Sequence, residues 1–230
     1  MTFALRACRM LAVSLLATLP ASGADASAIA SRTALQTLLG GGGTIEDFEA
    51  FSFPSLSSYI LTCTTLTSAS VCNGQGPGLV QPGLTFSAPD ELQWNDAGYV
   101  GAASREILAN STIFVIDFAT APAAVGVDLR AYTGYGDTAQ MDVYGADDST
   151  LLGSITGIVL STSGIPVFAG WQDAGGIGKF VLTPTIQEWS PIIDNLEYGA
   201  IAEVPEPASA ALLGLGLAVL ALRRPKRRAG

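Results

Sequence analysis

The chain has 230 residues, 49% of them hydrophobic, no histidine and a formal net charge of −9. Without an imidazole there is no Ser-His-Asp triad, Cys-His pair, HExxH zinc site or histidine acid-base chemistry. Between Ile29 and Glu203 four cations (Arg32, Arg105, Arg130 and Lys179) face eighteen carboxylates, a charge of −14 that repels nucleic acid and anionic membrane surfaces.

The first elements are those of export. Arg6 and Arg9 precede the mostly apolar run Met10 to Leu19, Pro20 breaks it, and small residues follow. Residues 1–28 read as a secretory signal peptide built on a short signal helix. Ser22-Gly23-Ala24, Ala24-Asp25-Ala26 and Ala26-Ser27-Ala28 all offer the small-x-small pattern, so cleavage is expected between Gly23 and Ile29. Cys8 lies before the apolar run, which excludes a lipoprotein cysteine. Removal of the signal leaves Cys63 and Cys72, nine residues apart, expected to close a surface loop as a disulfide in an oxidising compartment.

Residues 29–43 are expected to form a short helix, Ser31 to Leu39, stopped by Gly40-Gly41-Gly42-Gly43. From 44 to 200 the pattern is strands. Ile113 to Phe118 is β-branched and aromatic, Thr120-Ala121-Pro122 turns, and Val125, Val127 and Leu129 alternate with Gly126, Asp128 and Arg130. This is a hairpin with one buried face. Met141 and Val143 alternate with Asp142 and Tyr144, and Asp147-Asp148 turns toward a strand from Leu151 to Ile158. Further strands are expected at Thr44 to Phe53, Tyr59 to Thr67, Leu84 to Ser87, Val167 to Ala169, Ile177 to Leu182 and Ile192 to Tyr198. Many short strands with glycine-rich turns predict an all-β chain, one antiparallel β-sandwich of the jelly-roll kind.

Residues 201–230 form a separate tail. Val204-Pro205-Glu206-Pro207 holds the chain extended, the form a protease cleft binds as a strand. Ala208 to Leu222 has no charge and spans about 22 Å as a helix. That is short for a transmembrane helix against a core of roughly 30 Å, but Arg223 and Arg224 extend its reach by snorkelling. The basic stop Arg223 to Arg228 leaves the C-terminus in the cytoplasm and everything before the helix outside.

Proline site, apolar helix and basic stop, in that order, resemble the PEP-CTERM sorting signal of Gram-negative bacteria. The resemblance implies a partner, the membrane protease-transferase exosortase, and membrane insertion of the tail before processing. Its association with exopolysaccharide producers implies a destination in the envelope, on the outer surface or in the extracellular matrix. The middle of the chain also resembles lectin-like and carbohydrate-module jelly rolls. That likeness rests on an opening strand Ile45-Glu46-Asp47-Phe48-Glu49 and a closing strand Ile193-Asp194-Asn195-Leu196-Glu197-Tyr198-Gly199.

Two groups of residues bear on chemistry. If the first and last strands are neighbours, Glu46, Asp47 and Glu49 meet Asp194 and Asn195, a set of hard oxygens suited to a structural Ca²⁺. The competing reading has Asp47 and Glu49 merely pointing outward from a strand buried through Phe48. The second group consists of loop aromatics beside polar residues: Tyr132, Tyr135 and Asp137, and Trp171, Gln172 and Asp173. A ring that stacks on sugar C–H groups while amides and carboxylates fix hydroxyls would bind exopolysaccharide, whereas core packing is the plainer role for any one of them. The expected function is that of an exported, non-enzymatic surface or matrix protein. A carbohydrate-binding module is the first alternative. The second is a glycoside hydrolase, which needs two carboxylates roughly 5–10 Å apart across a cleft.

Overall fold

The computed structural model describes residues 25–51, 58–132, 137–161, 165–186 and 189–202. The signal segment up to residue 24, Tyr135, the motif Val204 to Pro207 and the apolar run 208–222 lie outside them. In chain order the strands are β1 (Ser27–Ile29), β2 (Thr44–Glu46), β3 (Ser58–Ile60), β4 (Thr65–Thr67), β5 (Leu84–Ser87), β6 (Leu92–Asn95) and β7 (Glu106–Ala109). They continue with β8 (Phe114–Phe118), β9 (Ala124–Arg130), β10 (Asp137–Gly145), β11 (Leu151–Leu160), β12 (Val167–Gln172), β13 (Ile177–Pro184) and β14 (Ile192–Gly199). One helix, α1 (Arg32–Leu39), follows β1.

The strands form two antiparallel sheets. The front sheet runs β1-β12-β9-β14-β7-β6-β3, with β2 also paired to β14, and the back sheet runs β11-β10-β13-β8-β5-β4. Four pairs are nested: β7 with β14, β8 with β13, β9 with β12 and β10 with β11, alternating between the sheets. This winding is a jelly roll, as expected from the sequence. It gathers the loops β7–β8, β9–β10, β11–β12 and β13–β14 at one pole. At the other pole, the foot, Ala124 lies opposite both Gln172 and Gly199, and Ser27 opposite Gln172.

Alternation makes the core. Val125, Val127 and Leu129 face inward from β9, and Ala139, Met141 and Val143 from β10, onto Phe114, Ile116, Phe180 and Leu182. Trp94 packs edge-on against Phe48 with ring centroids 5.5 Å apart, and Phe48 meets Phe86 at the same distance. The expected strand from Thr44 to Phe53 is cut to three residues by a local bond. Glu46 accepts the Phe48 N–H at 2.8 Å, and Phe48 takes a positive φ of 57°, which turns its ring into the core. The expected strand Tyr59 to Thr67 likewise splits into β3 and β4 around Leu61 to Thr64.

Helix α1 begins where Ser31 accepts the Ala34 N–H and ends at Gly40 in the left-handed region, φ 58°. It docks on the outer face of the front sheet, where Leu35 and Leu39 meet Ile29, Ala124 and Phe168. Gly126 makes this possible: a Cβ there would stand 2.5 Å from the Phe168 ring and 2.8 Å from Leu35. The segment expected as a preface to the domain is thus part of it, since β1 extends the front sheet and α1 covers it.

Cys63 and Cys72 are bonded, closing the segment that holds β4 between β3 and β5. Cys72 is fully buried within the main core, so the bridge ties an otherwise irregular loop to the sandwich. Replacing both by serine is expected to cost about 2 kcal/mol in chemical denaturation. Labelling of denatured, unreduced protein should find neither thiol free, and stoichiometric labelling of both would contradict the bridge.

Candidate functional site

Inward packing of Val127, Leu129 and Ala131 turns Asp128 and Arg130 to the outer face of the front sheet. Inward Ile107 and Ala109 turn Glu106 to the same face. On β14 the register slips between Asp194 and Glu197, and Asn195 takes a positive φ of 48°. The extra residue is a bulge. It keeps Ile193 and Leu196 in the core while Asp194 and Glu197 both face outward.

The result is a belt of charge beside α1. Arg32 contacts Asp128 at 2.9 Å and Glu197 at 3.1 Å, donates to the Asn195 carbonyl at 2.8 Å, and lies 5.3 Å from the Phe168 ring centroid. Arg130 grips Glu106 in a bidentate pair, and both side chains are nearly sealed, at 3% and 4% exposure. Burial pushes the Glu106 carboxyl up from its ordinary value, and the guanidinium opposes that push. Asp194 accepts from the Ser104 hydroxyl and, at 2.7 Å, from the Asn195 N–H. Burial raises its pKa to about 6 despite these bonds, helped by the neighbouring charges of Asp128 and Glu49. Between Ser104, Glu106, Asp128, Arg130 and Asp194 lies a cleft of about 40 Å³, room for about one water.

Above the belt, toward the loop pole, the face becomes aromatic. The Tyr99 and Tyr132 hydroxyls are 2.8 Å apart, and the Tyr132 and Trp189 rings are 5.4 Å apart. Burial, then the Tyr99 hydroxyl, pushes the Tyr132 phenol up to about 12. Gln93 bonds Tyr132 and also donates to Ser58 at 2.6 Å. Trp189 is 38% exposed, so this cluster reaches solvent.

The five residues expected around calcium are split between two places. β2 and β14 are indeed neighbours, with Glu46 opposite Leu196. However, the Glu46 carboxylate turns inward to accept from Phe48 and Gln81, and the Asp47 carboxylate caps the Glu49 N–H. Glu49 pairs with Arg105 at 3.0 Å, and the Asn195 amide donates to Asp128 at 3.3 Å. Among the described residues no group of three or more His, Cys, Asp or Glu side chains is placed to hold a metal ion.

The two aromatic segments are also at opposite poles. Trp171 is 7% exposed and packs across the sandwich, where a Cβ on Gly153 would stand 2.4 Å from its ring; it is a core residue. Gln172 donates to the Ser27 hydroxyl at 3.0 Å, and Asp173 holds the β12–β13 turn through Ala123 and Gly176. Asp137 is buried and accepts the Thr138 and Ile186 N–H groups, so it braces the loop pole. Only Tyr132 of the described set joins an exposed aromatic cluster. Its partners Tyr99, Gln93 and Trp189 are separated from it by between 33 and 57 positions, and no local spacing announces them.

Comparison with known proteins identifies the tail. Residues 203–228 match the family model of the PEP-CTERM protein-sorting motif, so the chain carries the signal for export and processing by exosortase. No curated protein and no solved structure matches the chain.

Proposed function

We propose that this chain is a non-enzymatic protein of the cell surface or extracellular matrix of a Gram-negative bacterium, delivered there by its sorting tail. The observation that carries the reading is the placement of the chain ends. β1 and the strand end at Gly199 lie at the same foot of the jelly roll, so a tail held in the membrane before processing leaves the loop pole pointing away from it. The engagement of the buried carboxylates supports a structural role over hydrolysis: Glu106 is taken by Arg130, Glu46 by two backbone N–H groups, and Asp194 by Ser104 and Asn195. In a host carrying exosortase, surface-localised protein is expected to have lost everything after about Pro207. Mass spectrometry that finds Leu222 and the basic stop on most of it would overturn the reading.

A second reading is favoured by one observation, the exposed Trp189 beside Tyr132, Tyr99 and Gln93. An aromatic face next to an amide and two hydroxyls suits a neutral glycan, which the acidic domain does not repel. Exopolysaccharide from the producing strain is then the expected ligand. Trp189→Ala should weaken retention on immobilised exopolysaccharide about tenfold, the worth of one lost stacking contact. Equal retention of both proteins would remove the glycan reading.

A further inference from the structure

The last described residues are fastened to the foot of the domain. Ala202 donates its N–H to the Leu38 carbonyl at 2.8 Å, and Ile201 packs with the apolar side chains of α1. The sorting motif starts two positions later, at Val204. Three residues of fully extended chain reach at most about 11 Å, so Pro205 cannot be farther than that from Ala202. An enzyme that seats Val204 to Pro207 as an extended strand must therefore come against the foot itself.

Beside the point of exit lies a cleft of about 370 Å³, lined by Thr44, Thr120, Ala121, Ala123, Tyr198 and Ala200 among others. None of its lining residues is charged. The acids of the neighbouring turns, Asp147, Asp148 and Asp173, stand outside the lining. Thr120, Ala121 and Ala200 are exposed, so the cleft is open to a partner.

We propose that this uncharged cleft is the docking surface for exosortase, a second recognition element read together with the motif. The inference rests on the sorting role of the tail. Docking holds the enzyme at the exit point, and the short tether converts recognition of the motif into a local event at high effective concentration. The partner surface that fits is uncharged and apolar, because a carboxylate facing this foot would be desolvated without a counter-charge.

The test is a pulse-chase of the full chain in an exosortase-bearing host, reading conversion of precursor to processed protein. One variant carries Thr120→Glu with Ala121→Glu, both at exposed positions. The other inserts Gly-Ser-Gly-Ser-Gly-Ser between Ala202 and Glu203, leaving the domain untouched and moving the motif away from the cleft. Each is expected to slow conversion about tenfold, with the Cys63–Cys72 bridge still formed. Conversion of the insertion variant at the native rate or faster would overturn the docking surface while leaving the sorting role intact. Failure of the native chain to be converted at all would remove the sorting role, and the docking surface with it.

Discussion

Replacing Arg130 by methionine is expected to cost the folded domain about 3–5 kcal/mol and to lower its melting temperature by about 10 °C. The side chain is 3% exposed and its bidentate partner Glu106 is equally buried, so the substitution leaves a carboxylate inside the protein with no counter-charge. The neighbourhood cannot substitute for the guanidinium. Asp194 adds a like charge, and Asn95 supplies only an amide. Glu106 would then protonate to remain buried, because the guanidinium that opposes the upward push of burial is gone. The double variant Arg130→Met with Glu106→Leu is expected to recover most of the loss, because an apolar pair needs no desolvated charge. Urea unfolding of the processed protein at pH 7.5 measures both. A single-variant loss below about 1 kcal/mol would mean that water reaches the pair, and the belt would then be surface decoration rather than a fixed part of the front sheet.

The sequence made much of this fold visible because its signals are local. Alternation along Ile113 to Arg130 marks β8, β9 and the turn between them, and Ser31 and Gly40 bracket α1 with residues suited to its two ends. The disulfide followed from compartment and count. What stayed hidden depends on partners far along the chain. Glu106-Ile107-Leu108-Ala109 has no alternating burial, since all four residues of β7 are buried, and Glu106 is tolerated there only because Arg130 arrives from β9. Leu92 to Asn95 does alternate between Leu92 and Trp94 on the inside and Gln93 on the outside, but four residues are too short a run to announce β6 against the flanking loops. Trp171, beside an amide and a carboxylate, reads from the sequence either as a sugar-stacking ring or, more plainly, as core. The absent side chain of Gly153, eighteen positions earlier, is what lets the ring sink into the sandwich.

The side chains expected around calcium depend on distant partners in the same way. Adjacency of β2 and β14 was correctly anticipated, but the direction of a carboxylate was not readable from strand order. Glu46 is drawn inward by two N–H groups, one from Phe48 two positions on and one from Gln81, thirty-five residues away. Glu49 is drawn aside by Arg105, one of only four cations in the span. Where cations are this scarce, each one fixes the acids around it. The four-to-eighteen imbalance is thus felt most at the acids left without a cation, of which Asp194 is the clearest.

Stability of the processed protein is expected to fall as the pH rises from about 4 to about 6, and to stay lower at neutral pH. Asp194 titrates near 6 in the folded protein against an ordinary value of 3.8, so in that window the folded state holds a proton that the unfolded chain has released. A group with a raised folded pKa contributes stability in its protonated form, complete below the unfolded value and lost as the pH passes the folded one. For Asp194 the loss is on the order of 3 kcal/mol. Glu46 and Glu106, also pushed upward by burial, act in the same direction. Asp147 acts in the opposite one. The Thr150 hydroxyl and the N–H groups of Thr150 and Ser149 hold its carboxyl below the ordinary value, so its contribution is present above 3.8 and disappears as the pH falls below it. The optimum is therefore expected near pH 4. Asp194→Asn isolates the cause: its amide oxygen still accepts the Asn195 N–H, its NH₂ reaches the Ser104 oxygen, and no charge is buried beside Asp128 and Glu49. The variant should be more stable than the parent at pH 7.5 by about 1–2 kcal/mol and should flatten the profile between pH 4 and 6. Unfolding free energies measured across that range decide the matter: a variant less stable at pH 7.5, or a parent whose stability rises from pH 4 to 6, would show that Asp194 is ionised and well accommodated on the front sheet.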